Sequence, residues 1–567
     1  MPAKPIPYGI SNYSTIIRDG CAYVDKTMYI RSLEETGYYH LFLRPRRFGK
    51  SLFTSMLGYY YDIAEIDNFD NLFSNMDIGR HPTKKKNAYY VLQFDFSAIR
   101  TDSYEVMLQS FTLNIYNALV RFCATYHLDI TLEVDSPEAQ LSHLFTQFQT
   151  KSDGKIYVII DEYDHFANEL LSSNLKIFTD TVSGDGFVRR WYEVLKWASK
   201  TVVERIFITG VSPITLDSLT SGFNISQNLS MDSEFNEMMG FTRNEVEQLI
   251  QETISEKIPC DLMETLTDYY NGYCFSKDGN ERVFNSDMVL YYLHYYKRKH
   301  KPPDTLIDRN AVSDYGKLEK FIAFQTPEQN LEILKEIVFD GYTTTELIDS
   351  FSIGQEFEAE HFKSLLFYFG LLTMKDVEFG TVRLQIPNSV INGLYFKFLM
   401  RLITKDAKYV PDTKLITEAM RELACEDSCE KLTILVEGLL HALSNRDSIG
   451  FSEKEIKIAV AAYIGITNMY LVKSEYEVEK RYIDLAFFPR ADMPELDILL
   501  FEFKYIKSEN ISDKSIAKKR DEAVNQLREY GSASDFSGKA VTSWAIVFAG
   551  EKCVERIKVP RSLPLHK

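Results

Sequence analysis

Apolar and polar positions follow two rhythms along the chain. Over the first 240 residues, short apolar runs ("YHLFLRP", "YYVLQFDFS", "KIYVIIDEYDHF", "RIFITGVSP") alternate with stretches of helical spacing such as "KSLFTSMLGYYY". Strands alternating with helices predict parallel pairing through crossover helices, and hence an α/β sandwich. From about Gly240 to Cys425 the spacing is mainly helical, as in "FTRNEVEQLIQETI" and "AEHFKSLLFYFGLL", and "YYKRKHKPP" reads as a basic helix end stopped by two prolines. From Glu426 a helix-rich start leads to "RYIDLAFFP", "LDILLFEFKYI", a polar helix around "KKRDEAVNQLREY" and the strand-like "TSWAIVFAG". That pattern predicts a second, smaller α/β unit. The expected divisions are residues 1–240, 241–425 and 426–567, with no internal repeat and no low-complexity segment.

Composition narrows the function classes. A chain of 567 residues, 45% hydrophobic and 26% charged, can bury several cores. Its net charge of −17 excludes a globally basic polyanion binder. Any nucleic-acid contact must come from a local patch such as Lys84–Lys86 or Lys297–Lys301, and both read first as solvated loops. "MPAKPIPYGI" lacks a signal-peptide core, and no apolar run approaches the roughly 20 residues that span a bilayer. A cytoplasmic protein with no membrane contact is expected. The seven cysteines are scattered and read as free thiols, with only Cys425 and Cys429 close enough to raise a zinc site. The ten histidines form no H-x-x-x-H pair, and "TGVSPI" lacks the G-x-S-x-G spacing of a serine hydrolase.

The chemistry concentrates first in "HLFLRPRRFGKS", His40–Ser51, which runs from a strand through a loop into a helix. Gly-Lys-Ser at such a junction is the context of a phosphate-binding loop, whose backbone N–H groups and helix N-terminus hold phosphates. Lys50 is placed to reach the β- and γ-phosphates and Ser51 to ligate Mg²⁺. Gly49 permits close backbone approach. Arg46, Arg47 and Phe48 complete the expected ATP-contacting loop, the two arginines adding cations beside the phosphates. The anomaly is Arg44 in place of the motif's first glycine, followed by Pro45, which has no N–H. Downstream, the strand Ile156–Ile160 delivers Asp161 and Glu162 at its C-terminal end, the Walker B layout. Asp161 is expected to hold Mg²⁺ and Glu162 to polarise the attacking water. "RIFITGVSP" ends in Thr209 and Ser212, either of which could sense the γ-phosphate or simply satisfy strand-end backbone.

"YVDKTMYI", "FLRPRRFGKSLFTSML", "QFDFS", "IIDEYD", "TGVSPI" and "MGFTRNEV", in that order, resemble the bacterial AAA-ATPase-like family over roughly residues 5–250. The resemblance implies an ATP-binding, AAA-like P-loop NTPase domain of α/β/α architecture. It makes Arg-Pro-Arg-Arg-Phe-Gly-Lys-Ser a family habit rather than decay. The helical middle is then expected to be a lid and connector, with a winged-helix unit as one form it could take.

In the last unit, strand alternation puts Glu502 and Lys504 of "LLFEFKYI" on one face. Asp484 of "RYIDLAFFP" joins them if the two strands form a hairpin. Two carboxylates and a lysine suit metal-dependent phosphodiester hydrolysis. Asp484 and Glu502 would hold Mg²⁺ (or Mn²⁺), and Lys504 would position water and stabilise charge growing on the phosphate. The D…E-x-K arrangement resembles the PD-(D/E)XK nuclease superfamily. In that superfamily a Gln-x-x-x-Tyr helix often follows the E-x-K strand, and here Gln526 and Tyr530 match it on one helix face. Two departures stand: Lys480 occupies a place where a glycine is common, and the acidic residue of the first helix is open among Glu437, Glu453 and Glu455. The expected function is ATP-regulated, metal-dependent hydrolysis of nucleic acid, DNA ahead of RNA, in a chain that could form a homo-oligomer. The rival is an ATP-dependent switch or interaction protein whose nuclease-like domain has lost catalysis.

Overall fold

The computed structural model describes residues 3–560 except 133–134, 174–185, 214–223, 255–257, 260, 280, 309–326, 350–357, 408, 445–451, 468, 480, 491–492, 494, 531–535 and 537. Cys260 and Lys480 therefore lie outside the described residues. The chain forms two compact units: residues 1–300, 307–327 and 344–384 in the first, and 301–306, 328–343 and 385–567 in the second. The stretch 241–425 contributes to both. No described helix is long and apolar enough to cross a membrane.

The first unit is built on five strands: β1 (Tyr39–Leu43), β2 (Tyr90–Asp95), β3 (Ile156–Asp161), β4 (Val203–Gly210) and β5 (Gln227–Asn228). They lie in the order β2-β3-β4-β1-β5, and every pair is parallel. All six residues of β3 are buried, as a strand covered on both faces requires, which explains its unbroken apolar run. Helix α1 (Lys50–Tyr61) covers one face, with the Tyr61 ring 4.8 Å from Tyr157 and Phe53 5.8 Å from Phe207. On the other face Trp191, from helix α2 (Phe187–Ala198), lies 5.1 Å from Phe94. Because β4 sits between β1 and β3, the loop after β1 opens beside the C-terminal ends of β3 and β4, where open α/β sheets bind ligands.

The second unit holds β6 (Tyr470–Val478), β7 (Arg481–Pro489), β8 (Ile498–Ile506), β9 (Val541–Ala549) and β10 (Lys552–Val559), in the order β10-β9-β8-β7-β6. Only β8 and β9 are parallel, and they are joined through helix α4 (Asp513–Tyr530), the crossover that a parallel pair needs. Ala523, Leu527 and Tyr530 of α4 pack with Ile498, Leu500 and Ala545 of the sheet. Helix α3 (Glu453–Ile466) starts at a capping box made by Ser452 and Glu455. The expected hairpin is present: Leu485 pairs with Phe501 and Ala486 with Leu500 across β7 and β8.

Candidate active sites

At the first site, the anomalous Arg44 turns out to be structural. Its side chain is 1% exposed and donates to the carbonyls of Leu43 (2.9 Å), Ser230 (2.6 Å) and Phe235 (2.9 Å). The guanidinium lies 4.2 Å from the Phe42 ring and 4.3 Å from that of Phe275. Burial pushes its pKa down to about 9, so it stays charged at neutral pH. The left-handed backbone that a first glycine could supply appears instead at Arg47 (φ 75°) and Gly49 (φ 93°). Pro45 lies against Gly370, where any Cβ would come within 2.8 Å of it.

Lys50 begins α1, is buried, and donates to the carbonyls of Arg44 (2.9 Å) and Pro45 (3.0 Å). Pro45 thus serves the loop as an acceptor. Ser51 and Thr209 both hydrogen-bond Asp161, whose Oδ1 also accepts from the Glu162 N–H at 3.0 Å. Burial raises the Asp161 pKa, and the two hydroxyls work against it. Burial also raises that of Glu162, but His165 at 3.2 Å and the Lys50 and Arg46 cations outweigh it and hold the carboxyl at about 2. Ser212 is not part of this group: its hydroxyl bonds Asp164 and Asn168, which tie the end of β4 to the helix after β3. Of the two sensor candidates, Thr209 alone reaches Asp161.

The loop, Lys50, Ser51 and Glu162 open on a cavity of about 720 Å³, a size suited to a nucleotide, while Asp161 and Ser51 line a neighbouring one of about 570 Å³. Arg46, Arg47, Phe48, Gly49, Lys50, Ser51 and Glu162 line the larger one, with Ile10, Tyr23 and Met238–Phe241 as apolar walls. Arg47 is held by Asp287 at 3.1 Å and Asp308 at 3.7 Å, which compete with a phosphate for its charge. The donor set fits ATP and Mg²⁺: a loop with left-handed turns, a lysine, and a hydroxyl beside a carboxylate. Sequence reasoning missed Lys26, buried in the wall and bound to Glu245 and the Glu237 carbonyl at 2.8 Å each, as well as His165, Asp287 and Asp308. Only His165, three residues after Glu162, carried a local signal.

At the second site, the register on either side aligns Glu475, Asp484 and Glu502 in one row across β6, β7 and β8. Glu475 takes a left-handed φ of 44°. Asp484 is buried and its Oδ2 accepts from the Phe503 N–H at 2.7 Å. Glu502 is 1% exposed; one oxygen accepts from Lys504 at 2.8 Å and the other is buried with no partner. Burial, then the Asp484 charge, pushes the Glu502 pKa up to about 7 against Lys504 and Lys457. Lys457 of α3 reaches into the row, with Nζ 2.5 Å from Asp484, 3.0 Å from Glu475 and 3.6 Å from Glu453. Its position four residues after Glu453 was the one signal for it in the sequence.

Among the three acidic candidates of the first helix, Glu453 faces the site. Glu455 caps its own helix, and Glu437 binds Lys552 and the Cys553 N–H. Gln526 hydrogen-bonds Tyr530, whose hydroxyl donates to the Tyr482 carbonyl at 2.9 Å. Among the described residues no group of three or more His, Cys, Asp or Glu is placed to hold a metal ion. The buried, unpartnered oxygen of Glu502 beside Asp484 nonetheless fits Mg²⁺, which typically takes one or two protein carboxylates and completes its shell with water and phosphate. The basic runs are spoken for in part: Lys85 pairs with Glu204 at 2.5 Å, Lys86 lies 3.6 Å from the Phe69 ring, and Lys297 donates to the Lys4 carbonyl.

Comparison with known proteins matches a family model to each of two stretches of the chain. Residues 7–220 match the model described as predicted AAA-ATPase, and residues 451–557 match that of the PD-(D/E)XK nuclease superfamily. An uncharacterized protein in the vnfD 5' region of Azotobacter chroococcum mcd 1 is 26% identical over 429 residues, 73% of either chain. Among solved structures, Drosophila ORC bound to GC-rich DNA and Cdc6 aligns at 10% identity and a TM-score of 0.24, over 78% of this chain and 62% of the other. The complex with poly(dA/dT) DNA gives 9% and 0.22, over 81% and 61%. The chain thus spans less than two thirds of those structures. It carries an AAA-ATPase-like domain over residues 7–220 and a PD-(D/E)XK nuclease-superfamily domain over residues 451–557.

Proposed function

We propose that the chain binds ATP with Mg²⁺ at the Lys50 loop and hydrolyses phosphodiester bonds of nucleic acid, DNA ahead of RNA, at the Asp484–Glu502–Lys504 site, under the control of the bound nucleotide. The observation that carries this reading is the buried, unpartnered oxygen of Glu502 beside Asp484 and Lys504, in a chain that also has the Lys50 cavity. In the cavity, Lys50 would turn from the loop carbonyls to the β- and γ-phosphates. Glu162, kept ionised at neutral pH, would orient the attacking water. At the second site a bound divalent ion would supply a water of lowered pKa and offset phosphate charge. Lys504 would hold that water and face the phosphate, and Tyr530 with Gln526 would brace the strand behind it.

The test measures ATP binding and cleavage of single- and double-stranded DNA and RNA together, in Mg²⁺ or Mn²⁺, for wild type, Lys50→Ala and Glu502→Ala. Cleavage lost in Glu502→Ala and altered by Lys50→Ala would support the whole reading. Cleavage in Lys50→Ala at the wild-type rate, with or without ATP, would sink the control by nucleotide. A second reading, an ATP-dependent switch with an inactive nuclease-like domain, is favoured by one observation: Lys457 already occupies Asp484. It predicts no cleavage of any form by wild type.

A further inference from the structure

The acidic row has more negative charge than a two-carboxylate metal site needs. Glu453, Glu475, Asp484 and Glu502 surround the lysines Lys457 and Lys504. Lys519 stands outside this count, since it is paired with Glu522 at 2.8 Å. Four carboxyl groups face two ammonium groups, so the row holds more acid than its own lysines balance, and a proton or a bound cation must make up the difference. The placement of the lysines divides the row. Lys504 takes one oxygen of Glu502 and leaves the other buried and open. Lys457 takes the far end, within 4 Å of three carboxylates at once.

That end is strained in ways a cation repairs. Glu475 and Asp484 lie opposite each other on neighbouring strands, a pairing that like charges disfavour. Glu475 also keeps a left-handed backbone that non-glycine residues avoid. Three carboxylates converge on one ammonium, at 2.5, 3.0 and 3.6 Å. That ammonium is Lys457, only 9% exposed at its side chain.

We infer that Lys457 stands in the place of a second divalent ion, so that the nuclease-like site loads a single ion between Asp484 and Glu502. The inference rests on the metal-dependent reading of this site and adds its stoichiometry. The point charge of a lysine is not equivalent to a metal, because it supplies no water of lowered pKa. Lys457 therefore acts as a positioning residue: it fixes Asp484 by one oxygen and leaves the row one ion short of a two-ion centre.

Mn²⁺ titration of the nucleotide-free full chain tests this, by calorimetry and by electron paramagnetic resonance. Ions lost on Glu502→Gln are counted as belonging to the site. Wild type is expected to bind one such ion, and Lys457→Arg, which keeps the charge, one as well. Lys457→Met and Lys457→Gln, checked for folding by circular dichroism, are expected to bind a second ion or to bind the first about tenfold tighter, since a unit charge in a buried site is removed. A Mn²⁺–Mn²⁺ coupled spectrum would mark the second ion. Two ions in wild type, or unchanged number and affinity in both neutral variants, would overturn the inference and leave the metal-dependent reading standing. No Glu502-dependent ion in any variant would overturn both.

Discussion

Restoring the missing glycine of the phosphate loop should damage the protein. In Arg44→Gly, the carbonyls of Leu43, Ser230 and Phe235 lose a charged donor, and the Phe42 and Phe275 rings lose the plane between them. Each buried carbonyl left without a donor costs about 1–3 kcal/mol, and the ring contacts add about 1 kcal/mol. Against this, the variant no longer pays to bury a guanidinium whose pKa is pushed down to about 9. It also opens a void through which water can reach some of the carbonyls. The balance is a loss of about 3 kcal/mol, in the range for breaking a buried charged network. For a unit of roughly 360 residues that is a fall of about 4 °C in Tm. Differential scanning calorimetry with and without ATP isolates the relevant transition, since only the ATP-binding unit should shift with ligand. Arg44→Met, which keeps apolar volume between the rings, should lose less. If Arg44→Gly melted within about 1 °C of wild type and bound ATP as well or better, the structural role of Arg44 would be refuted.

Other outcomes follow from the same geometry. Lys50→Ala should weaken ATP binding at least about tenfold, read by equilibrium titration, because the loop loses its one buried ammonium. Glu162→Gln should keep ATP affinity within a few-fold and lower turnover by about 10² or more, and equal turnover would remove Glu162 from the water-orienting role. Asp164→Ala should destabilise the first unit by about 3 kcal/mol in urea, since it strands the N–H groups of Val211 and Ser212 that bond its carboxylate. His40 is buried and neutral, its pKa pushed down to about 4 by burial and then by Arg205. Below the ordinary histidine value the unfolded chain takes the proton and the folded one does not. Stability should therefore fall by up to about 3 kcal/mol as pH drops from about 6.5 to 4, and His40→Phe should flatten that part of the curve.

Much of this was legible in the sequence because it is local. The apolar run 156–160 ending in two acids read as a strand with a candidate metal-binding end, and the structure buries that strand with Asp161 as its last residue. Alternation put Glu502 and Lys504 on one face, and the hairpin on which Asp484 depended is present as the pairing of β7 with β8. What stayed hidden are contacts made by distant parts of the chain. Nothing near Arg44 announces that its acceptors are Ser230 and Phe235, and nothing near Arg47 points to Asp287. Polarity misled at Ser212, where strand-end position suggested a sensor but a buried network with Asp164 and Asn168 claims the hydroxyl. Among Glu437, Glu453 and Glu455 the choice depended on which turn of which helix faces the sheet, which composition cannot tell.

The cavity at the Lys50 loop has walls drawn from distant stretches of the first unit: Pro7 and Gly9–Ser11 on one side and Met238–Phe241, Ser286 and Leu290 on the other. A ribosome delivers these walls far apart in time. A nascent chain can display the Lys50 loop early, yet the pocket that would grip a nucleotide cannot close until Leu290 has cleared the exit tunnel. A ligand of this cavity, ATP in the function proposed above, would thus be unable to template the early steps of this unit's folding, and would act only as a late ligand that selects chains whose two walls have already met.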